Sequence, residues 1–525
     1  MLNINNHALN MIPKGPKFKR RADLTPEIRL AIAYSALEAQ QNGKWGKITE
    51  LSKHFMISRT FVYMLASFLA AASVIIFSAT PAIAPVTNHL LPFVYMLALR
   101  LEGRCSIEAI SAIMKRFDAS FSSVGSVSKY LHYFGSLLPN TLSAKADEIK
   151  LVVFLSDELF SKNVPILVTV DPISSVILRI ELADSRKAED WKKHWECLED
   201  NGVSAIYLVT DEGQGLTKAH KVALADIVRQ PDTYHAIAHV IGKLVNQLEK
   251  AAYSAIEKEQ ERVDKLDSAR SDEVICKRID AAVEASARAN ELTDLYDAVH
   301  YLYLCILENL RVFDADGNLR DRKQSEKEIE EALNMLNELG VPKINKAVKK
   351  MRATLPELLN YFDTAGTVVE NLMTLPIHQE ALKALFPAWQ YRKGVIKSKD
   401  ANARQYNREQ EAFYLEIADD YLQDDFNLIK SQIYTELDQI VQSSALVECI
   451  NSIIRPYLNN SKNQVTQEML NLIMFYHNHR RYKAGKRKGK TPMEIFTGET
   501  QEKDWIELLF DVVKEKDPSF FAFSG

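Results

Sequence analysis

Cysteine, glycine and proline are all scarce in this chain of 525 residues. The five cysteines lie far apart and form no C-x-x-C pair, which argues against a disulfide framework or a zinc site and suits reduced thiols in a cytosolic protein. The 18 glycines and 17 prolines are too few for the many turns of an all-β protein. We therefore expect a largely helical or mixed fold, with a core large enough for several domains.

Charge is missing from one long stretch. Residues 61–99 contain no Asp, Glu, Lys or Arg. Residues 62–79 are long and apolar enough to span a membrane, and the alternative is a buried helix pair broken at Pro81 and Pro85. We expect the buried pair, and no membrane association, because the run begins inside a helix-turn-helix pattern.

Elsewhere the net charge of -4 hides strong local asymmetry. Residues 1–22 carry five basic residues and no acid, and seven of the fourteen residues in 477–490, "HNHRRYKAGKRKGK", are Lys or Arg. Basic blocks of this kind are either solvated tails or phosphate-binding surfaces.

The N-terminal part contains two candidate helix-turn-helix units. In "KITELSKHFMISRTFVYMLASF", residues 47–68, "MIS" forms the turn and Ser58 is the expected N-cap of the second helix. Arg59 and Thr60 would open that helix, where a recognition helix contacts DNA. A second, weaker unit lies in 106–134. Helix packing without DNA binding is the alternative for each unit.

Near residue 150 the helical patterns are followed by short β-branched runs, which predict strands. A helix is predicted for 184–200, between the third and fourth strands, and 234–438 reads as helix throughout. The expected strands are 149–160, 164–171, 175–183 and 205–213. Three strands, a helix and a fourth strand are the first elements of a ribonuclease-H-like fold and also of several other α/β folds.

Acidic side chains end or interrupt these strands. Asp171 precedes a proline at a hairpin and is most simply a turn residue. Asp157 and Asp211 each follow an apolar run, where a carboxylate is costly to bury without a cation or a hydrogen-bond donor. With a third carboxylate from a helix they would offer the oxygen ligands that Mg²⁺ or Mn²⁺ prefers.

The third carboxylate is expected in "SSALVECINSIIRPYLNN", residues 443–460, which has helical periodicity. Glu448 interrupts its apolar stripe, and Asn451 and Arg455 project on the same side. We interpret Glu448 as a metal ligand and the other two as residues that face a polyanion.

Four segments together resemble the catalytic core of bacterial DDE transposases, relatives of retroviral integrases. They are "SDELF", "VTDEGQG", "ALVECINSIIRPYL" and "FYHNHRRYKAGKRKGKTPMEIFTGE". In the last of them, Thr491, Pro492 and Glu494 form an expected capping box. The resemblance implies an α/β ribonuclease-H-like core in 150–240 and 441–500. An all-α insertion at 241–440 would interrupt this core, an all-α DNA-binding region at 1–140 would precede it, and a tail at 501–525 would follow it.

The resemblance also implies a function. Asp157, Asp211 and Glu448 would be catalytic and would bind two Mg²⁺ or Mn²⁺ ions, so that the enzyme cleaves transposon ends and transfers the 3′-hydroxyl to target DNA. The partners would be double-stranded DNA (terminal inverted repeats and target) and a second copy or more of the chain, at the nucleoid in a bacterial cytoplasm. The implied DNA contacts are Arg455, Asn451, Arg480, Arg481, Lys483, Lys486, Arg487 and Lys488, besides Arg59 and Thr60. The alternative is a non-catalytic DNA-binding regulator derived from a transposase.

Two further residues have open interpretations. His235, after an expected fifth strand, either lies near the scissile phosphate or is a structural histidine. Trp389, in a segment with Arg392, Lys393, Lys397 and Lys399, either stacks on an unpaired base or packs in the core, and we expect core packing.

Overall fold

The computed structural model describes residues 21–77, 90–145, 148–268, 271–398, 400–460, 465–485 and 487–522. The chain divides into two compact units, Met1–Asn88 and His89–Gly525. The division falls at residue 88 and not near 140.

The first unit is helical over its described residues. Its helices are α1 (Pro26–Gln41), α2 (Lys47–His54) and α3 (Arg59–Phe77). They share a small core that includes Ile32, Leu51, Val62 and Leu65. The backbone N–H of Phe61 donates to Ser58 Oγ (3.1 Å), which confirms Ser58 as the cap of the second predicted helix.

The uncharged run extends over α3 and continues in α4 (Leu91–Leu101), and residues 78–89 lie outside the described residues. Among the described helices, none is by itself both long and apolar enough to cross a membrane. The pair α2 and α3 passes the same criteria of length and composition only when joined, and it is bent by 110°.

The second unit is built around a five-stranded sheet. Its strands are β1 (Lys150–Ser161), β2 (Val164–Val170), β3 (Ile177–Leu182), β4 (Val203–Thr210) and β5 (Arg229–Pro231). The order is β3-β2-β1-β4-β5, with β1 antiparallel to β2, β2 antiparallel to β3, and β1, β4 and β5 parallel. The four predicted strands are confirmed to within a few residues.

Helices cover both faces of this sheet, as the alternation along β1 requires. Val153, Leu155 and Leu159 face one hydrophobic cluster, and Val152 and Phe154 face another. The second cluster is formed with α7 (Ala188–Asp200) and α8 (Gln214–Ala223). The first is formed with α4 (Leu91–Leu101), α5 (Ile107–Arg116), α6 (Val124–Ser136), α18 (Ala445–Asn460), α19 (Gln467–His479) and α21 (Trp505–Lys516). The second candidate helix-turn-helix unit, α5 and α6, therefore packs with the sheet.

A helical region separates β5 from α18 and has its own core, which includes Phe313, Phe386 and Trp389. It consists of α9 (Thr233–Ile237), a π-helix (Ala238–Gly242), α10 (Lys243–Asp264), α11 (Asp272–Asn309), α12 (Arg322–Glu338), α13 (Pro342–Leu358), α14 (Tyr361–Met373), α15 (Gln379–Lys397), α16 (Ala401–Leu422) and α17 (Phe426–Leu437). We call residues 233–437 the helical region. The expectation of helix is confirmed for most of the described residues of this stretch, but residues 311–321 are not helical and contain an antiparallel bridge between Phe313 and Leu319.

Two short helices complete the C-terminal part, α20 (Pro492–Thr497) and α22 (Ser519–Ala522). The predicted capping box opens α20. The N–H of Glu494 donates to Thr491 Oγ1 (3.0 Å), and the Glu494 carboxylate accepts from the N–H of Thr491 (2.8 Å).

Candidate active site

Asp157 and Asp211 lie side by side because of the strand register. Ser156 of β1 pairs with Thr210 of β4 in the parallel ladder, and each aspartate is the next residue along its strand. The adjacent glutamates are engaged elsewhere, since Glu158 pairs with Arg186 (3.0 Å) and Glu212 with Lys350 (2.7 Å). Because neighbouring residues on a strand point to opposite faces, only one acid of each adjacent pair can join a common site at this edge of the sheet.

Asp157 is held on both carboxylate oxygens. Its Oδ1 accepts from the N–H of Glu158 (2.8 Å), and its Oδ2 accepts from Nδ2 of Asn451 (2.8 Å). Burial, followed by the charge of Asp211, raises the pKa of Asp157 to about 7, and the charge of Glu448 acts in the same direction. The three acids are therefore close enough for their charges to interact.

Asp211 is fixed by the turn that follows β4. Its Oδ1 accepts from the N–H of Gly213 (2.8 Å), and a Cβ at Gly213 would lie only 2.8 Å from that oxygen, so this position favours glycine. The buried guanidinium of Arg229 donates to the carbonyl of Asp211 (2.9 Å) and to Thr210 Oγ1 (3.0 Å). Nothing in the sequence pattern had marked Arg229 as part of the site.

Glu448 lies in the first turn of α18, half exposed, and it contacts His235. Its Oε1 is 2.9 Å from His235 Nε2, and the ring of His235 stacks on that of His239 with centroids 4.9 Å apart. Partial burial opposes a charge on His235, but Asp232 and the hydrogen bond to Glu448 together raise its pKa. The structure thus places His235 in contact with Glu448.

The donor chemistry suits a hard divalent cation. Asp157 is a partly buried carboxylate whose pKa is raised by burial and then by the charge of Asp211, and a cation would offset both effects. Within the ranges that the structure describes, no three His, Cys, Asp or Glu side chains are grouped so that they could hold a metal ion. Asp157 and Asp211 fit a metal by chemistry, while Glu448 is engaged by His235.

Asn451 differs from its expected place. It is only 2% exposed and lies inside the site beside Asp157, whereas Ser452 and Arg455 of the same helix are exposed. The buried stripe of α18 contains Val447, Ile450, Asn451 and Ile454. The spacing of Asn451 from its apolar neighbours is the signal that could have shown this.

Some of the basic residues after α19 contact other parts of the protein, and others are exposed. Arg481 pairs with Glu494 (2.9 Å), and Arg487 donates to the carbonyls of Pro172 (3.0 Å) and Ile173 (2.7 Å). Arg480 lies partly buried near the rings of Tyr476 and Tyr482 (5.6 and 5.8 Å from their centroids). Lys483 and Lys488 are exposed, and Lys486 lies outside the described residues. Arg481 and Arg487 therefore have structural contacts of their own.

Trp389 packs in the core of the helical region, as we expected. It is 2% exposed, its Nε1 donates to Asp438 Oδ1 (3.0 Å), and Nζ of Lys393 lies 3.6 Å from its ring centroid. This burial leaves no open ring face for an unpaired base. Lys399 lies outside the described residues.

Comparison with known proteins gives one family. No curated protein matches the chain. Residues 157–372 match the model of the ISL3 family of DDE transposases, described as "Transposase". The matched segment begins at Asp157, includes Asp211 and His235, and ends before Glu448. Over these residues the chain is similar to the DDE transposases, and the motifs "SDELF" and "VTDEGQG" lie at or within the matched segment.

Proposed function

We propose that the protein is a metal-dependent DNA transposase that cleaves the ends of a mobile element and joins the freed 3′-hydroxyl to target DNA. One observation carries the proposal: in a chain that matches a transposase family, Asp157 and Asp211 occupy equivalent places on neighbouring parallel strands, within electrostatic reach of Glu448. The proposal makes these three side chains the ligands of two Mg²⁺ or Mn²⁺ ions. When bound, such a pair supplies charge neutralisation at the attacking and leaving oxygens of an in-line displacement.

The protein's own groups have distinct roles in this proposal. Asn451 orients the Asp157 carboxylate, and Arg229 fixes the end of β4 beneath Asp211. His235 holds Glu448. Because phosphoryl transfer depends on positioning and charge neutralisation more than on covalent chemistry by the protein, rigid placement of these carboxylates is the main contribution of the fold.

The sheet supports a ribonuclease-H-like core. Three antiparallel strands are followed by two parallel ones, and helices lie on both faces. We propose that 150–240 and 441–500 form this core, that 241–440 is an insertion within it, and that 501–525 is a C-terminal tail. We propose that 1–140 is the region that precedes this core. Its last three helices, α4 to α6, pack in the same hydrophobic cluster as the sheet.

DNA recognition is proposed for the first unit. Helix α2, the turn that ends at Ser58, and α3 form a helix-turn-helix, and Arg59 and Thr60 are exposed at the start of α3. Arg455, Lys483 and Lys488 are exposed beside the core and would bind phosphates. Two element ends must be held together, so a homodimer or larger assembly on DNA, in a bacterial cytoplasm, is part of the proposal.

The test is cleavage of labelled duplexes that carry the ends of the element flanking the gene, with Mg²⁺ or Mn²⁺. Asp211→Asn and Glu448→Gln should abolish cleavage and retain DNA binding. Glu212→Gln is the matched control, because Glu212 is adjacent to Asp211 but pairs with Lys350. Binding without cleavage under either metal would instead support a non-catalytic regulator, and full cleavage by Asp211→Asn would refute the assignment of the acids.

A further inference from the structure

A fourth acid, Asp232, stands in the same row as Asp157 and Asp211. Thr210 of β4 pairs with Ser156 of β1 on one side and with Pro231 of β5 on the other. Asp157, Asp211 and Asp232 are therefore the next residues on three neighbouring parallel strands. Asp232 is 2% exposed, and a carboxylate buried to this extent requires hydrogen-bond donors.

Asp232 accepts hydrogen bonds from residues at both ends of the helical region. Its Oδ2 accepts from the backbone N–H (2.8 Å) and from the hydroxyl of Ser444, and its Oδ1 accepts from the N–H of His235 (3.1 Å). Next to it, the N–H and the hydroxyl of Thr233 donate to the carbonyl of Gln442 (3.1 and 2.7 Å). Residues 232–233 and 442–444 are thus joined side chain to backbone where the chain enters and leaves the helical region.

This junction determines where Glu448 stands. Ser444 immediately precedes α18, and its carbonyl accepts from the N–H groups of Val447 (2.8 Å) and Glu448 (3.3 Å). The carboxylate end of Glu448 is held by His235, whose own N–H is bound by Asp232. Both the backbone and the side chain of Glu448 are therefore placed through Asp232.

We propose that Asp232 is a positioning residue, which joins the two ends of the helical region through Ser444 and so fixes Glu448 opposite Asp157 and Asp211. The inference rests on the proposed function, because it concerns the geometry of the three acids. Asp232 is not itself a ligand in this arrangement, since it is only 2% exposed and its Oδ2 alone accepts two hydrogen bonds from Ser444. This junction holds the two ends of the helical region together. A region of about two hundred residues can therefore interrupt the core without displacing Glu448 from the two aspartates.

Asp171 provides a matched control. It is also a buried aspartate, 4% exposed, and its Oδ2 accepts from the N–H (2.8 Å) and the hydroxyl of Ser174. It therefore has the same Asp–Ser contact, but in the turn between β2 and β3, with no bond to Glu448 or His235 among its described contacts. Asp171→Asn therefore measures how the loss of an Asp–Ser contact changes the stability of the protein when the surroundings of Glu448 are unchanged.

The experiment measures cleavage by the full chain as a function of Mg²⁺ concentration, with DNA binding and thermal unfolding recorded in parallel. In Asp232→Asn the amide replaces an acceptor oxygen, so the half-saturating Mg²⁺ concentration should rise by about tenfold to a hundredfold, as for other residues that orient metal ligands. Ser444→Ala, which removes only the hydroxyl contact, should give a smaller rise. Asp171→Asn should leave the half-saturating concentration unchanged.

The outcomes separate this inference from the proposed function. If the wild-type chain shows no metal-dependent cleavage, both are overturned. If the wild type cleaves and Asp232→Asn and Ser444→Ala keep the wild-type Mg²⁺ dependence, only the positioning role is overturned. If Asp232→Asn does not fold, Ser444→Ala decides the question alone. Unchanged DNA binding in either variant, together with the altered Mg²⁺ dependence, supports the positioning role.

Discussion

Nδ2 of Asn451 lies 2.8 Å from Oδ2 of Asp157, so a side chain on the helix of one proposed ligand orients the carboxylate of another. Asn451→Ala should lower the rate of cleavage by about tenfold to a hundredfold, because the carboxylate loses its donor and gains freedom. DNA binding, measured by gel shift, should not change. Ser452→Ala, at the exposed neighbouring position, is the control. Equal cleavage by Asn451→Ala and wild type would contradict this role.

Divalent metal should stabilise the protein through Asp157. Its pKa is raised to about 7 by burial and by Asp211, so its ionised form is held at a cost that a cation would offset. At a Mg²⁺ concentration about a hundred times the dissociation constant, binding adds about 2.7 kcal/mol to the free energy of unfolding. We expect Mg²⁺ to raise the Tm of the wild type and of Glu212→Gln but not that of Asp157→Asn. A rise of the same size in Asp157→Asn would place the metal elsewhere.

The first unit should supply affinity for DNA without affecting the acids. Arg59 is exposed at the start of α3, where a recognition helix contacts bases or phosphates. Arg59→Ala should weaken binding of the element ends by about 1 to 3 kcal/mol, as titrated by fluorescence anisotropy at several salt concentrations. Metal-induced stabilisation should remain as in the wild type. The comparison variant is Lys53→Ala, exposed on α2, for which a smaller loss is expected. An equal loss in both variants would indicate a non-specific charge effect.

The strands and the two aspartates could be predicted because their signals are local. β1 and β4 each contain an apolar run that is followed by an acid, and their parallel register brings these two acids together. The capping box at Thr491 is likewise a pattern of four residues, and it is confirmed. These parts of the fold require no information about distant segments.

The contacts that complete the site are not local, and the sequence could not supply them. Asp232 and Ser444 are 212 positions apart, and no local pattern links two residues at that separation. Asn451 was assigned to the DNA-facing side with Arg455, although its spacing from Val447 and Ile454 is that of a buried residue. Packing of α18 on β1 then brings its Nδ2 to Asp157, and the sequence does not show this contact.

The basic segment after α19 contains two residues that should behave oppositely on mutation. Arg487 binds the carbonyls of Pro172 and Ile173, whereas Lys488 is exposed. Arg487→Ala should lower the Tm, because the partly buried carbonyl of Pro172 loses its donor. Lys488→Ala should leave the Tm unchanged and weaken DNA binding, with a shallower dependence on salt. The assignment fails if Lys488→Ala binds DNA as the wild type does across the salt series.

Acid should weaken the second unit through His194, which lies fully buried between Glu181 and Thr169. Its Nδ1 is 3.2 Å from Glu181 and its Nε2 is 3.0 Å from Thr169 Oγ1, which in turn contacts Ser156. We assign the proton to Nδ1, so that Nε2 accepts from Thr169. Burial lowers the pKa of His194 to about 4, against 6.5 for a free histidine. The unfolded chain therefore binds more protons between these values, and stability falls as the pH is lowered from about 6.5 to about 4.

The size and origin of this loss can be measured. A difference of this kind corresponds to on the order of 3 kcal/mol of unfolding free energy for His194. His477, also buried with a pKa lowered to about 4, acts in the same direction. The urea midpoint, followed by the fluorescence of Trp191 and Trp195 beside His194, should drop between pH 7 and pH 5 in the wild type. In His194→Gln this drop should be smaller, since the contribution of His194 is lost while those of His477 and His479 remain. His378→Gln, at an exposed position, should keep the full drop. If the urea midpoint of His194→Gln falls as much as that of the wild type, groups other than His194 take up the protons.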